Sequence, residues 1–327
     1  MHIPDNYLSP STCVVMAGIM VPVWKSAADK TNLELSRKKI PLLGICSAFS
    51  FIIMMFNIPL PGGTSGHAIG SVLAAILLGP SGAVVSITIA LAIQALFFGD
   101  GGILAFGANC FNMAFIMPFT GYYIYKFISG LFKETKGEYI GSFIAGYAGM
   151  NLAALMAAIE FGIQPLLFRD AAGLPMYCPY GLSITIPAML LPHLLVVGFV
   201  EGLVTAAVFG YVRKVSKNSI YQGKDIKLKP LYVLLFVLIV LVPIGLFAPG
   251  TAFGEWDSDE INSLIGYIPK GIKDGFHFNS LFKDYSIHGI LPYAAYILSG
   301  IIGIILIITV IRLLFIKKNK NEKSIID

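Results

Sequence analysis

Residues 68–98 read AIGSVLAAILLGPSGAVVSITIALAIQALFF, an unbroken run without a charged side chain. As one helix the run would be about 46 Å long at 1.5 Å per residue, against a hydrocarbon core of about 30 Å. Gly79, Pro80, Ser81 and Gly82 interrupt it, so the stretch is predicted to be a hairpin of two segments. The first of these, 68–79, covers only about 18 Å, short for a full crossing. Further apolar runs lie near 10–26, 40–60, 103–126, 139–162, 182–211, 231–248 and 290–316. The chain of 327 residues is 56% apolar and 13% charged, where a soluble domain carries about 25% charged residues. The bilayer is therefore its solvent, and the fold class is all-α, polytopic in the membrane. Nucleic-acid binding, disorder and a disulfide scaffold are excluded. Cys13, Cys46, Cys110 and Cys178 show no CxxC spacing and read as packing residues.

Charge sets the expected topology. Lys25, Lys30, Arg37, Lys38 and Lys39 follow the first segment and mark a cytoplasmic loop by the positive-inside rule. Lys126, Lys133 and Lys136, then Arg213, Lys214, Lys217, Lys224, Lys227 and Lys229, then Arg312, Lys317, Lys318, Lys320 and Lys323 mark three more cytoplasmic stretches. This arrangement puts 19 of the 23 basic residues inside, gives nine crossings, and leaves the N-terminus outside and the C-terminus in the cytoplasm. The chain divides into a seven-helix body over 1–212, a cytoplasmic linker over 213–229, and a two-helix accessory module over 230–327 with an external loop at 249–289.

The chain opens Met1, His2, Ile3, Pro4, Asp5 with no basic n-region, so no cleavable signal peptide is expected. Ser9 and Pro10 are a helix start signal. A free terminus followed by His offers the Met1 amine, the His2 amide nitrogen and the His2 Nδ1, which close a five- and a six-membered chelate ring around one ion. Three nitrogens then occupy three corners of a plane, an arrangement that suits Ni²⁺ or Cu²⁺ and is accessible to Co²⁺. The expected fourth donor is His67, in the glycine-rich external loop Pro61, Gly62, Gly63, Thr64, Ser65, Gly66, His67.

Other residues carry two readings. Asp100, in an external Gly-rich turn, either shapes the turn or orients a metal-bound imidazole. Asn109 and Asn112 are either interhelical hydrogen-bond partners or part of the site's surroundings. His193 and Glu201 fall within one crossing, within about 80° of each other around the helix, and form either a functional intramembrane pair or a structural one. Ala145, Gly149, Ala153 and Ala157 form a small-residue stripe for internal packing or docking. His277 and His288 read as surface residues. There is no GxxxxGK[ST], HExxH or GxSxG, so neither ATP hydrolysis nor those hydrolase chemistries belong to this chain.

The opening Met1-His2-Ile3-Pro4-Asp5, the loop Gly62-Gly63-Thr64-Ser65-Gly66-His67, the run Ile93 to Gly102 and the run Gly107-Ala108-Asn109-Cys110-Phe111-Asn112-Met113 resemble the CbiM/NikM family. These are the metal-capturing S components of energy-coupling factor transporters for cobalt or nickel. The resemblance covers about residues 1–212 and implies a metal held by the terminal amine, the amide and imidazole of His2, and His67. It also implies a separate transmembrane coupling (T) subunit and cytoplasmic ABC ATPases as partners, with Co²⁺ or Ni²⁺ as transported substrate and no resident cofactor. Cobalt is favoured on overall family likeness. Residues 230–316 resemble the family's small N component in layout, and Asn6 stands where glycine is expected in many relatives. The competing functions are a self-sufficient, proton-coupled secondary metal transporter using Glu201, His193 and Asp100 as a relay, and a membrane metalloenzyme. A filled four-nitrogen plane argues against the enzyme, since no coordination position stays open.

Overall fold

The computed structural model describes residues 1–34, 39–60, 64–132, 135–216, 227–248 and 250–316. Parts of the loop at 61–67, most of the linker at 213–229 and the basic C-terminal tail lie outside the described residues. Helix α1 (Pro10–Glu34) starts as its sequence directs: the Ser9 hydroxyl accepts the Thr12 N–H at 3.1 Å, an N-cap bond. After α2 (Ile40–Met54) a short antiparallel hairpin, β1 (Ile58–Leu60) and β2 (Thr64–Gly66), pairs Ile58 with Gly66.

The run at 68–98 is two helices, α3 (Ser71–Leu78) and α4 (Pro80–Ile93). Gly79 breaks them at φ +81°, and Pro80 occupies the first turn of α4, where its missing N–H costs nothing. All eight residues of α3 are buried, and at about 12 Å the helix is shorter than a hydrocarbon core of about 30 Å. A π-turn, Gln94–Phe98, extends α4. Next come α5 (Phe106–Asn109), a π-turn at Cys110–Ile116, and α6 (Met117–Leu131) in one continuous line. The long α7 (Thr135–Gly162) leads to the short α8 (Gln164–Leu167). Helix α9 (Leu182–Pro192) runs through a π-turn, His193–Val197, into α10 (Gly198–Val215). The remainder comprises α11 (Leu228–Leu241), the loop helices α12 (Ser258–Ile265) and α13 (Lys270–Asp274), and α14 (Pro292–Ile316).

Six of these stretches, 10–33, 80–98, 135–167, 182–215, 228–247 and 292–314, are long and apolar enough to cross a membrane. The apolar α2 is shorter, at 15 residues. Large apolar side chains such as Val14, Ile19, Leu195, Phe236 and Leu313 stand exposed on the outer helix faces, as a lipid environment requires. This is a multi-pass membrane protein. The stripe Ala145, Gly149, Ala153, Ala157 is buried inside it. A Cβ on Gly149 would lie 2.9 Å from Val72 and 3.0 Å from the Met117 carbonyl, so the stripe serves close packing within the body and is no docking face. All four cysteines are buried free thiols.

The C-terminal part packs on the body. Gly303 of α14 sits against the Phe51 ring of α2, and Tyr296 O–H donates to the Met55 carbonyl at 3.0 Å. The loop before α14 folds back over the mouth formed by the N-terminus, with Phe282 N–H on the Phe97 carbonyl at 2.8 Å.

Candidate metal centre

The first nine residues form a plug threaded into the body, and polar side chains satisfy their backbone groups. Asn109 does this for Ile3 in both directions: its Oδ1 accepts the Ile3 N–H at 2.8 Å and its Nδ2 donates to the Ile3 carbonyl at 2.9 Å. The Asp5 carboxylate accepts the N–H groups of Leu104 at 2.7 Å and Ile103 at 3.1 Å. Ser9 N–H donates to Gln164 Oε1 at 3.0 Å. Asn6 adopts φ +71°, the left-handed region that favours glycine and tolerates asparagine, which accounts for the expected glycine there. Its side chain also bridges the N–H and carbonyl of Phe276 at 2.9 and 2.8 Å.

Glycine chemistry makes room for the plug. Gly102 N–H donates to the Ile3 carbonyl at 2.8 Å, and a Cβ on Gly102 would lie 2.5 Å from the Asp5 nitrogen. Gly101, at φ +85°, would place a Cβ 3.2 Å from the His2 ring. These two residues belong to the Gly-rich turn around Asp100, so that turn cradles the terminus as well as reversing the chain.

The plug buries Met1 and His2, and His67 comes to the same place, 8% exposed. The two imidazole centroids are 5.1 Å apart. His67 Nδ1–H donates to the Ala68 carbonyl at 3.1 Å, which fixes the tautomer and leaves Nε2 as the free donor nitrogen. Burial first, then the terminal ammonium and the neighbouring His2 and His193, hold the His67 pKa well below its usual 6.5, so His67 is neutral at neutral pH. The Met1 amine lies 3.2 Å from Glu255 Oε1. His2 Nδ1 lies 3.1 Å from Asp100 Oδ1, while His2 Nε2 is buried without a partner. A cavity of about 360 Å³ opens beside these groups, lined among others by His2, His67, Asp100, Glu255 and Tyr285. Among the described residues no cluster of three His, Cys, Asp or Glu side chains is suited to a metal.

Other candidates fall into place around this centre. Asp100 does contact the His2 ring, but through Nδ1, the nitrogen the six-membered chelate ring requires. Tyr285 O–H donates to Asp100 Oδ2 at 2.5 Å, and Gln94 Nε2 donates to the same oxygen at 3.2 Å. Asn112 faces away and donates to Glu160 Oε2 at 2.8 Å. His193 and Glu201, read as a possible intramembrane pair, each hydrogen-bond to other groups. His193 Nδ1 bonds the Met189 carbonyl at 2.6 Å, while Glu201 accepts the backbone N–H groups of Ile69 and Gly70. Eight positions is a full two turns plus 80°, and the π-turn starting at His193 alters that phase further. Glu255, Tyr285, Gln94 and Asp5 were not singled out from sequence. The first two sit in the external loop far along the chain, and only the fold brings them back.

The family model for the cobalt uptake substrate-specific transmembrane region, CbiM, matches residues 2–219. The chain belongs to the CbiM family. A second family model, the PDGLE domain, matches residues 229–319. The chain is 47% identical over 321 residues to the probable fused nickel transport protein LarMN of Lactiplantibacillus plantarum, covering 95% of this chain and 97% of that one. It is 42% identical to the fused nickel transport protein NikMN of Rhodobacter capsulatus, with 96% of each chain covered. A crystal structure described as a transition metal transporter shares 56% identity over 66% of this chain and 94% of its own, with a TM-score of 0.63. As a CbiM-type chain, the protein is a membrane transport protein for transition metals and not an enzyme.

Proposed function

We propose that this chain is the substrate-binding membrane subunit of an ATP-driven importer of the energy-coupling-factor type, capturing Ni²⁺ or Co²⁺ through the Met1 amine, the His2 amide and imidazole, and His67. The observation that carries this reading is the buried meeting of a chain terminus, His2 and a neutral His67 beside a polar cavity. The orphaned His2 Nε2 marks the imidazole as unsettled, as a side chain awaiting a ligand would be. Chelation through Nδ1 turns the ring about Cβ–Cγ, away from Asp100, and frees the amine from Glu255. Such ligands bind in their deprotonated forms, so binding the ion releases their protons.

Family likeness favours cobalt, but the site and the full-length relatives support nickel better. Four nitrogens in a plane suit d⁸ Ni²⁺, and fused relatives that match nearly the whole chain, among them LarMN and NikMN, are named for nickel. The terminus opens on the outer face, as the basic loops direct. Release into the cell is left to a transmembrane coupling subunit and cytoplasmic ATPases, because this chain has no phosphate-binding loop. The rival, proton-coupled transport by this chain alone, needs Glu201 as a carrier, yet that carboxylate is occupied by two backbone N–H groups.

Isothermal titration of the purified chain with Ni²⁺ and Co²⁺ tests the ligand set. His2→Ala and His67→Ala are each expected to weaken binding at least 100-fold. In liposomes the chain alone is expected to import little, and uptake is expected to depend on ATP and partner subunits. Robust uptake driven only by a proton gradient would establish the rival.

A further inference from the structure

Helix α3 begins immediately after the His67 loop, and its N-terminus has no cap of its own. The N-cap residue is Gly70, at φ +72° and without a side chain to offer. No capping residue can be substituted there, because a Cβ on Gly70 would lie 2.6 Å from the Phe49 ring in a backbone region side chains avoid. The cap comes from another helix. Glu201 of α10, fully buried at 0% exposure, places Oε2 2.7 Å from the Ile69 nitrogen and Oε1 3.0 Å from the Gly70 nitrogen, with a further contact from Gly70 to Oε2 at 3.2 Å. Two charge-assisted bonds at a helix N-terminus are strong and direction-setting, and they seize the two N–H groups directly after His67-Ala68.

An uncapped α3 would leave those N–H groups unsatisfied away from water, at the full desolvation cost of each. A single neutral hydroxyl or amide oxygen would relieve that in part. A carboxylate buried this deeply is costly to keep, and its two oxygens fix both the position and the angle of the peptide that follows the metal-facing histidine. The other groups near the loop do not serve this purpose. His67 spends its own Nδ1–H on Ala68, and His193 is tied to Met189.

We infer that Glu201 is the positioning residue for the His67 ligand: by clamping the Ile69 and Gly70 N–H groups it holds His67 Nε2 in the plane of the metal site, and it links that ligand to helix α10. The inference rests on His67 being a ligand, as proposed above. It assigns to Glu201 a part in metal affinity in place of either proton relay or a partnership with His193.

A double-mutant cycle in the full-length chain tests it, with Ni²⁺ as probe, titration calorimetry for affinity and the visible absorption of bound Ni²⁺ for the ligand field. Glu201→Gln keeps the shape and loses the charge and one acceptor. It is expected to weaken Ni²⁺ binding 10- to 100-fold, the usual effect of removing a group that orients a ligand, and to shift the absorption band toward that of His67→Ala. In a His67→Ala background, where the other three nitrogens still hold Ni²⁺ weakly, Glu201→Gln is expected to change affinity less than twofold. Equal losses in both backgrounds, or wild-type affinity and spectrum for Glu201→Gln, would overturn the inference. Should Glu201→Gln fail to elute as a monodisperse protein, Glu201→Asp, with the charge kept and the reach shortened, carries the same cycle. Unchanged Ni²⁺ affinity in the His67→Ala single variant would instead overturn the ligand reading beneath it, so the two failures are distinct.

Discussion

His67 carries the acid sensitivity of the centre. In the folded chain its pKa lies well below 6.5, mainly through burial and then through the terminal ammonium and His2. The unfolded chain accepts a proton near 6.5 that the folded chain refuses, so the stability this histidine permits is intact above that pH and declines as pH falls below it. Thermal unfolding of the metal-free chain at pH 7.5 and pH 5.5 is therefore expected to show a larger loss for the wild type than for His67→Gln. Equal losses would mean that the imidazole titrates normally in the fold. At this scale the sequence was most informative where covalent geometry does the work. An amine, an amide and an imidazole on two consecutive residues form a chelate whatever the fold. Glu255 on the Met1 amine and Tyr285 on Asp100 were illegible, because nothing in a linear chain says that positions 255 and 285 return to positions 1 and 100.

The elements around the site depend on glycines whose neighbours are backbone atoms. At Gly102 an added Cβ meets the Asp5 nitrogen at 2.5 Å and the Pro4 carbonyl carbon at 2.8 Å, and backbone cannot swing aside as a side chain can. Gly102→Ala is expected to destabilise the chain by about 1–3 kcal/mol, the range for overpacking, and to weaken Ni²⁺ binding by dislodging the plug. Gly130→Ala, with open space around its Cβ, is the control and is expected to be neutral or slightly stabilising. Differential scanning fluorimetry with and without Ni²⁺ reads both. The break between α3 and α4 could be read directly from Gly79 and Pro80. The π-turns at Gln94–Phe98, Cys110–Ile116 and His193–Val197 could not, since one extra residue per turn leaves no mark in a uniformly apolar run.

For the molecule as a whole, hydropathy and length are enough to identify a membrane protein, but they do not say how deeply each helix is buried inside the protein. Nine apolar segments were expected, and α3 turns out to be an eight-residue buried helix that supports the site. Orientation rests on the basic residues and is open to direct test. The four native cysteines are buried, so background labelling is expected to be low. A single cysteine at the exposed His277 is expected to react with an impermeant maleimide on intact cells, and one at Lys229 only after permeabilisation. Labelling at Lys229 from outside would invert the topology and put the metal centre on the wrong face for capture.

The terminal amine is the most distinctive element of the site, and one measurement addresses it alone. Placing a single extra residue before Met1, or acetylating that amine, removes the donor that begins both chelate rings and leaves His2 and His67 chemically intact. Titration calorimetry with Ni²⁺ on the chain with and without the extra residue is expected to show a loss of affinity as severe as that of His2→Ala. Undiminished affinity in the extended chain would contradict the amine ligand and move the metal to another set of donors.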